Sequence, residues 1–345
     1  MRARNGFRWW ILATVLILGA VVFPLLDQRD SSSTLVVYCA HDAVFADSII
    51  RLFEQKTGIR VDVRYDEEAS KSLGLTNLLI AEKSAPRCDV FWNNQTLGTI
   101  RLQKQSVLQP YRGSGFQRIP DVFRDAQGHW AGFAARMRVI IINTELMQET
   151  DDAVRQAFES GDLSDAAIAV PLYGTTLTHY SVLNAEYGLK KLQEWHRSLH
   201  DRGIREVRGN GAVRDLVAAG ACRMGWTDTD DAFGAIDDGK PVRMIPARTD
   251  SGRTIVIPNS VAMIAGCRHP REAEQFIDFL LLAEVELLLA KSSSRQIPLG
   301  PIPEKDLPED VVMLKKWAAD AVSMEPAAER QDEVLNWLMS ESQQP

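Results

Sequence analysis

Apolar and polar positions along this chain follow two rhythms that trade places at short intervals. Leu35-Val36-Val37-Tyr38 is an apolar run of buried-strand length. Phe45, Ile49, Leu52 and Phe53 then recur at helical spacing, and Gly58 stands where a left-handed C-terminal cap belongs. Ile59, Val61, Val63 and Tyr65 alternate with polar residues and predict a second strand. A helix over 73–83, Pro86 and a strand over 89–92 complete a β-α-β-α-β order, which calls for parallel strands joined by crossover helices. The same grammar returns with a strand at 168–170, helices over 175–187 and 190–200, and a short strand at 206–207. A helix over 212–219, a strand over 223–226 and a helix opened by Thr-Asp-Thr-Asp-Asp follow.

Two extended stretches read as crossings between units. One is the apolar run 138–143; the other is the pair 254–258 and 261–265, where Pro258 is expected to exclude a central ladder position. Beyond them the pattern is nearly all helical, with Pro270 at a favoured N1 place and Phe276, Phe279 and Leu280 as a buried stripe. The expected plan is an α/β, two-lobed fold, each lobe a mixed, mainly parallel sheet flanked by helices. Residues 34–137 form the first lobe, 138–255 the second, and 256–345 return to the first.

Ahead of this lies a different segment, 1–33. Arg2, Arg4 and Arg8 precede an unbroken apolar run over 9–26, about 27 Å long at ~1.5 Å per helical residue, enough to span a bilayer core. No small-x-small cleavage site precedes Asp27, and the first cysteine, Cys39, lies too far on for a lipoprotein. The run therefore reads as an uncleaved membrane anchor in preference to a cleaved signal, with the arginines inside and the rest of the chain outside.

At 345 residues, 45% hydrophobic and 25% charged, the chain has the composition of an ordinary globular protein large enough for two lobes. The net charge of −7 excludes a nucleic-acid footprint. Cys39, Cys88, Cys222 and Cys267 show no metal-ligand spacing and read as small buried residues, with one bridge outside the cytoplasm left open.

In open α/β sheets ligands sit beyond the carboxyl ends of strands, where helix N-termini present free N–H groups. The segments in that position are rich in hydroxyls, amides and carboxylates. In the first lobe they offer Asp42, the Ser70-Lys71-Ser72 run and Asn94; in the second, Thr175 and Thr176 with His179, Asn210 and Gly211, and Thr227, Asp228 and Asp230. Such groups bind a small polar solute by hydrogen bonds from both sides. Asp228 and Asp230 suit a hard cation or ligand hydroxyls, and Asp231 reads as first-turn capping. Arg295, in a polar loop, either reaches the cleft rim or pins the two lobes. No nucleophile elbow, P-loop, dinucleotide fingerprint or helical zinc pair is present, so no enzyme and no catalytic cofactor is expected.

Several of these stretches together resemble the iron(III)-type branch of family 1 extracellular solute-binding proteins, which have the type II periplasmic-binding fold. They are Leu35-Val36-Val37-Tyr38, the run Phe53 to Ile59, Ser70-Lys71-Ser72-Leu73-Gly74-Leu75, and Cys88 to Asn94. Asn210-Gly211-Ala212-Val213 and the run Ser294 to Leu299 complete the set, over about 35–299. The resemblance implies an extracytoplasmic substrate-binding component of an ABC importer, with a permease and an ATPase as partners. It implies iron(III), an iron chelate or another metal as transported ligand. Where ferric members place adjacent tyrosines, this chain has Thr227 to Asp231, and of their first-lobe acidic ligands only Asp42 remains, beside Asn94. A phosphorylated or phosphonate-type organic anion stays open as the alternative cargo, and an anchored hydrolase or sensory ectodomain as the alternative class.

Overall fold

The computed structural model describes residues 34–66 and 72–341. The expected anchor over 9–26 lies outside the described residues, as do Ser70 and Lys71; among the described residues no helix is long and apolar enough to cross a membrane. The chain runs β1 (Thr34–Cys39), α1 (Ala43–Thr57), β2 (Arg60–Tyr65), α2 (Leu73–Ala81), β3 (Val90–Asn93), α3 (Leu97–Lys104) and β4 (Leu108–Gln109). It continues through β5 (Ala131–Asn143), α4 (Asp151–Ser160), β6 (Ala166–Ala169), α5 (Gly174–Tyr187), α6 (Leu189–Asp201), β7 (Arg205–Val207), α7 (Asn210–Ala218), β8 (Met224–Asp228) and α8 (Thr229–Asp237). After β9 (Val242–Pro246) and β10 (Val256–Ile264) come α9 (Pro270–Leu280), α10 (Ala283–Lys291), α11 (Glu309–Trp317) and α12 (Met324–Glu341).

The opening β-α-β-α-β unit forms as the pattern predicts, with β2 and β3 both parallel to β1. Gly58 ends α1 at φ +73°, its N–H bonded to Glu54 O at 2.8 Å. An added Cβ there would meet nothing, so only the left-handed backbone requires glycine.

One strand carries the architecture. The first seven residues of β5, Ala131 to Met137, pair antiparallel with β10, and from Arg138 onward its partners are β8 and β9. The strand order β2-β1-β3-β10-β5-β8-β6-β7 thus changes partners at Met137/Arg138. The return connection passes the same point, because Arg138 N–H bonds to Ile255 O and Ala247 N–H to Arg138 O, each at 3.0 Å. The mixed sheet with helices on its faces is the α/β class expected.

Each half of the sheet has a core on both faces. In the first half, Phe53, Trp92, Phe133 and Phe276 pack under α1, α9 and α10, while Leu75, Leu79, Phe91 and Leu102 pack under α2 and α3. In the second, Tyr180, Leu192 and Trp226 lie under α5 and α6, and Val139, Ile141, Val213 and Ala232 under α7 and α8. All four cysteines are free thiols; Cys39, Cys88 and Cys222 are buried and Cys267 partly so.

Two expectations are corrected. Pro258 does not break the second extended stretch. β10 runs unbroken from Val256 to Ile264 between β3 and β5, and a register shift between Pro258 and Asn259 absorbs the irregularity. β3 pairs only with Ser260 to Met263, so the missing N–H of Pro258 falls outside that ladder. Nor does the whole C-terminal part return to the first half. α12 lies along α5, burying Val334, Trp337 and Leu338 in the second-half core, and touches α3 of the first half as well.

Candidate functional site

The carboxyl ends of β1, β3, β6 and β8 open on a cavity of about 620 Å³ between the two halves. Asp42 and Asn94 line it from the first half. From the second come Tyr173 to Thr176 at the start of α5, Arg208 to Ala212 at the start of α7, and Asp230 and Asp231 in the first turn of α8. These three helices have no side-chain cap from their N-cap residues, Tyr173, Gly209 and Asp228, and in α8 the Asp231 N–H is instead accepted by Asp230 Oδ1 at 3.2 Å.

Behind the cavity floor stands a wholly buried arginine. Arg138 Nη1 donates to Asp228 Oδ1 at 2.7 Å, to Asn210 Oδ1 at 3.0 Å and to Thr175 Oγ1 at 3.3 Å. The Thr175 hydroxyl donates to Asp228 Oδ2 at 2.6 Å, and Asn210 Nδ2 reaches the same oxygen at 3.0 Å. One guanidinium thus ties together the starts of α5, α7 and α8, the segments that form the second-half wall. A buried ion needs partners of this kind because the interior cannot solvate it.

A second buried arginine approaches the α8 carboxylates from the first half. Arg136 Nη1 lies 3.5 Å from Asp230 Oδ2, and its Nη2 lies 3.4 Å from His41 Nδ1. Burial pulls the guanidinium down, but Asp230, Asp228, Asp42 and Asp231 outweigh it and hold it above its ordinary value. The carboxylates respond in kind. Burial raises Asp230, Arg136 opposes the rise, and Asp228 and Asp42 add to it. Burial, together with Asp230 and Asp228, pushes Asp231 up to about 8, with Arg214 opposing. Carboxylate oxygens of Asp228, Asp230 and Asp231 lie within 4.8 Å of one another. That spacing suits a hard cation, yet Arg138 already occupies Asp228 and Arg136 sits against Asp230.

The structure distributes the sequence-derived candidates unevenly. Asp42, Asn94, Thr175, Thr176, Asn210, Gly211 and Asp230 line the cavity. Asn94 is buried with Oδ1 lacking a partner among the described residues, an acceptor in want of a donor. Thr175 is no helix cap; its hydroxyl serves Asp228. Thr227 stands behind the wall, donating to Asn210 O and Asp231 Oδ2, both at 3.2 Å. His179 is buried outside the lining, held neutral by burial and by Arg138, which drive its pKa well below the ordinary value. Ser72 is buried elsewhere, accepting from Gln95 Nε2 at 2.6 Å. Arg295 does not reach the cavity but grips Asp237 at the far end of α8. Four residues were missed: Arg136, Arg138, Arg208 and Asp231. The signal for Arg138 was an arginine opening the apolar run Val139 to Ile142, since a cation in a buried strand must be paired.

The description "bacterial extracellular solute-binding protein" belongs to the family that matches residues 48–321. The Fe(3+)-binding periplasmic protein of Serratia marcescens is 20% identical over 301 residues, covering 84% of this chain and 86% of its own. Iron-bound HitA from Pseudomonas aeruginosa superposes with a TM-score of 0.77 at 19% identity, over 88% of this chain and 99% of that one. Trichodesmium FutA, solved with iron and citrate ligands, gives 0.70 at 18% identity over 90% and 99%.

Proposed function

The chain belongs to the bacterial extracellular solute-binding protein family, and from that premise we propose that it captures a small polar solute between its two halves for the permease and ATPase of an ABC importer. The cargo we infer is iron carried as a chelate, with an organic anion supplying part of the ligand set. One observation carries this reading: a cavity of about 620 Å³ whose carboxylates are offset by two buried guanidiniums. A bare ferric ion would leave most of that volume empty and would compete with Arg136 for Asp230 and with Arg138 for Asp228. A hydroxycarboxylate chelate brings its own anionic donors, which suit the helix N-termini of α5 and α7 and the exposed Arg208. Asp230 and Asp231 would then face the metal or the ligand hydroxyls. HitA with its bound iron and FutA with iron and citrate support the choice of metal and of chelator class.

Because an anion site built on helix N-termini also accepts phosphate, an organic phosphate or phosphonate is the competing outcome. Binding without turnover is part of the proposal. So is an extracytoplasmic location, with the segment 9–26 holding the chain at the cytoplasmic membrane; release of the protein by a high-salt wash of membranes would remove the anchor from the reading.

A thermal-shift panel decides the cargo. Ferric citrate, ferric ion with a non-coordinating buffer, divalent metals, glucose 6-phosphate and a phosphonate are compared. A ligand at 100 times its Kd stabilises the folded state by about 2.7 kcal/mol. Ferric citrate is expected to give the largest shift, and Asp230→Asn, which keeps a polar partner of the same size beside Arg136, to abolish it. A shift with ferric ion alone, accompanied by a visible tyrosinate band from Tyr173, would overturn the chelate reading. A shift confined to the phosphorylated compounds would replace it.

A further inference from the structure

Helix α8 carries the cavity aspartates at one end and is gripped by first-half residues at both. At its start, Asp230 faces Arg136 of β5. In its middle, Phe233 packs with Met137, Val256, Ile297 and Leu314. At its end, Arg295 donates Nη1 and Nη2 to the two oxygens of Asp237 at 2.8 and 2.7 Å, places Nε 3.1 Å from Asp310, and lies 4.5 Å over the Phe233 ring. The two ends are about 10 Å apart by helical rise.

The backbone at Arg295 adds an independent observation. Its φ is +44°, a left-handed conformation that a side chain with a Cβ resists. The loop is over-determined around it. Arg295 N–H bonds to Ser292 O at 3.1 Å, and Ile297 exchanges both backbone bonds with Ala135, at 2.7 and 2.8 Å. Strain of this kind persists where surrounding contacts hold a residue for a purpose. Here it aims the guanidinium fork at Asp237, the geometry in which arginine binds a carboxylate best.

We propose that Arg295 is a positioning residue for solute capture: its grip on Asp237 seats α8 against the first half and so sets where Asp230 and Asp231 stand at the cavity. The inference rests on capture in this cavity, but not on which cargo fills it. A hydrogen-bonded helix of nine residues is stiff, so displacement at Asp237 is carried to Asp230. Loosening the grip lowers the fraction of molecules in the binding-competent arrangement, and apparent affinity falls by that fraction.

The test uses Arg295→Gln, Asp237→Asn and the charge-swapped double variant Arg295→Asp/Asp237→Arg, each in the full chain. The first readout needs no ligand. Spin labels at cysteines replacing Arg87 in the first half and Lys190 in the second, in a Cys267→Ser background, report the distance between halves by pulsed electron resonance. Both single variants are expected to shift or broaden that distribution, and the swap to recover it in part. The second readout is the Kd for the panel compound that binds wild type, expected to weaken about fivefold in each single variant. If the single variants lose stability while the distance distribution stays unchanged and Kd stays within a factor of two, the contact is structural only and the proposal is overturned. If no panel compound binds wild type, the cargo reading fails, and the ligand-free distances still decide the role of Arg295.

Discussion

Replacing Arg138 by methionine is the sharpest test of how the cavity wall is held. The side chain is wholly buried, and its Nη1 supplies a charged donor to Asp228, which is itself almost fully buried. Removing one partner of a buried ion pair costs about 3–5 kcal/mol, because the other charge stays in the interior uncompensated. Asp228 keeps two neutral donors, Thr175 Oγ1 at 2.6 Å and Asn210 Nδ2 at 3.0 Å, so the lower end applies. We expect Arg138→Met to lose about 3 kcal/mol in urea unfolding followed by circular dichroism, with an unchanged slope against denaturant. The double variant Arg138→Met/Asp228→Leu should regain at least half of that loss, since an apolar pair of similar volume removes the stranded charge. The double variant still leaves Thr175 and Asn210 short of an acceptor, which keeps the recovery incomplete. A single-variant cost below about 1 kcal/mol would show that water or a rearranged wall neutralises Asp228, refuting the account. So would a double variant no more stable than the single one.

Two further outcomes follow from named groups. Asp231 is raised from 3.8 to about 8 in the folded protein, so the folded state binds its proton more tightly than the unfolded chain does. Its contribution is therefore fully present at low pH and lost as pH rises from about 4 through about 8; Asp231→Asn should flatten that part of the stability profile, and an unchanged slope would return Asp231 to an ordinary carboxylate. Glu286 is a fully buried carboxylate that accepts from the backbone N–H groups of Ala134, Leu299 and Gly300 at 2.8, 2.7 and 3.1 Å and pairs with Arg118 at 2.5 Å. Glu286→Ala should cost about 3 kcal/mol or more in the same unfolding assay, and Glu286→Gln clearly less.

Much of the fold was legible because it rests on local signals. Gly58 and Pro270 mark helix ends through their own backbone preferences, and the alternation of Ile59 to Tyr65 needs no knowledge of the partner strand. What escaped depended on contacts distant in sequence. The Gly/Ala-rich stretch 131–135 carries no strand pattern, yet it completes β5 because β10 lies beside it. Pro258 is tolerated only because the register shifts there. The site shows the same division. Strand-end position picked out Asp42, Asn94, Thr175, Thr176, Asn210 and Gly211 without any partner, and those line the cavity. Arg136 and Arg138 act through aspartates about ninety residues away, and Asp231 reads as a cap until its neighbours are seen to raise it. Ser72, placed at a helix start by the same rule, is turned into the protein by its own left-handed backbone, at φ +70°.

The seat of α12 has a practical consequence. β1 begins at Thr34 inside the first half, whereas Val334, Trp337 and Leu338 bind the end of the chain to the second. A donor fluorophore fused ahead of Thr34 and an acceptor fused beyond Glu341 would each ride on a different half. Energy transfer between them would then read solute capture directly, giving a genetically encoded sensor that needs no insertion into either sheet.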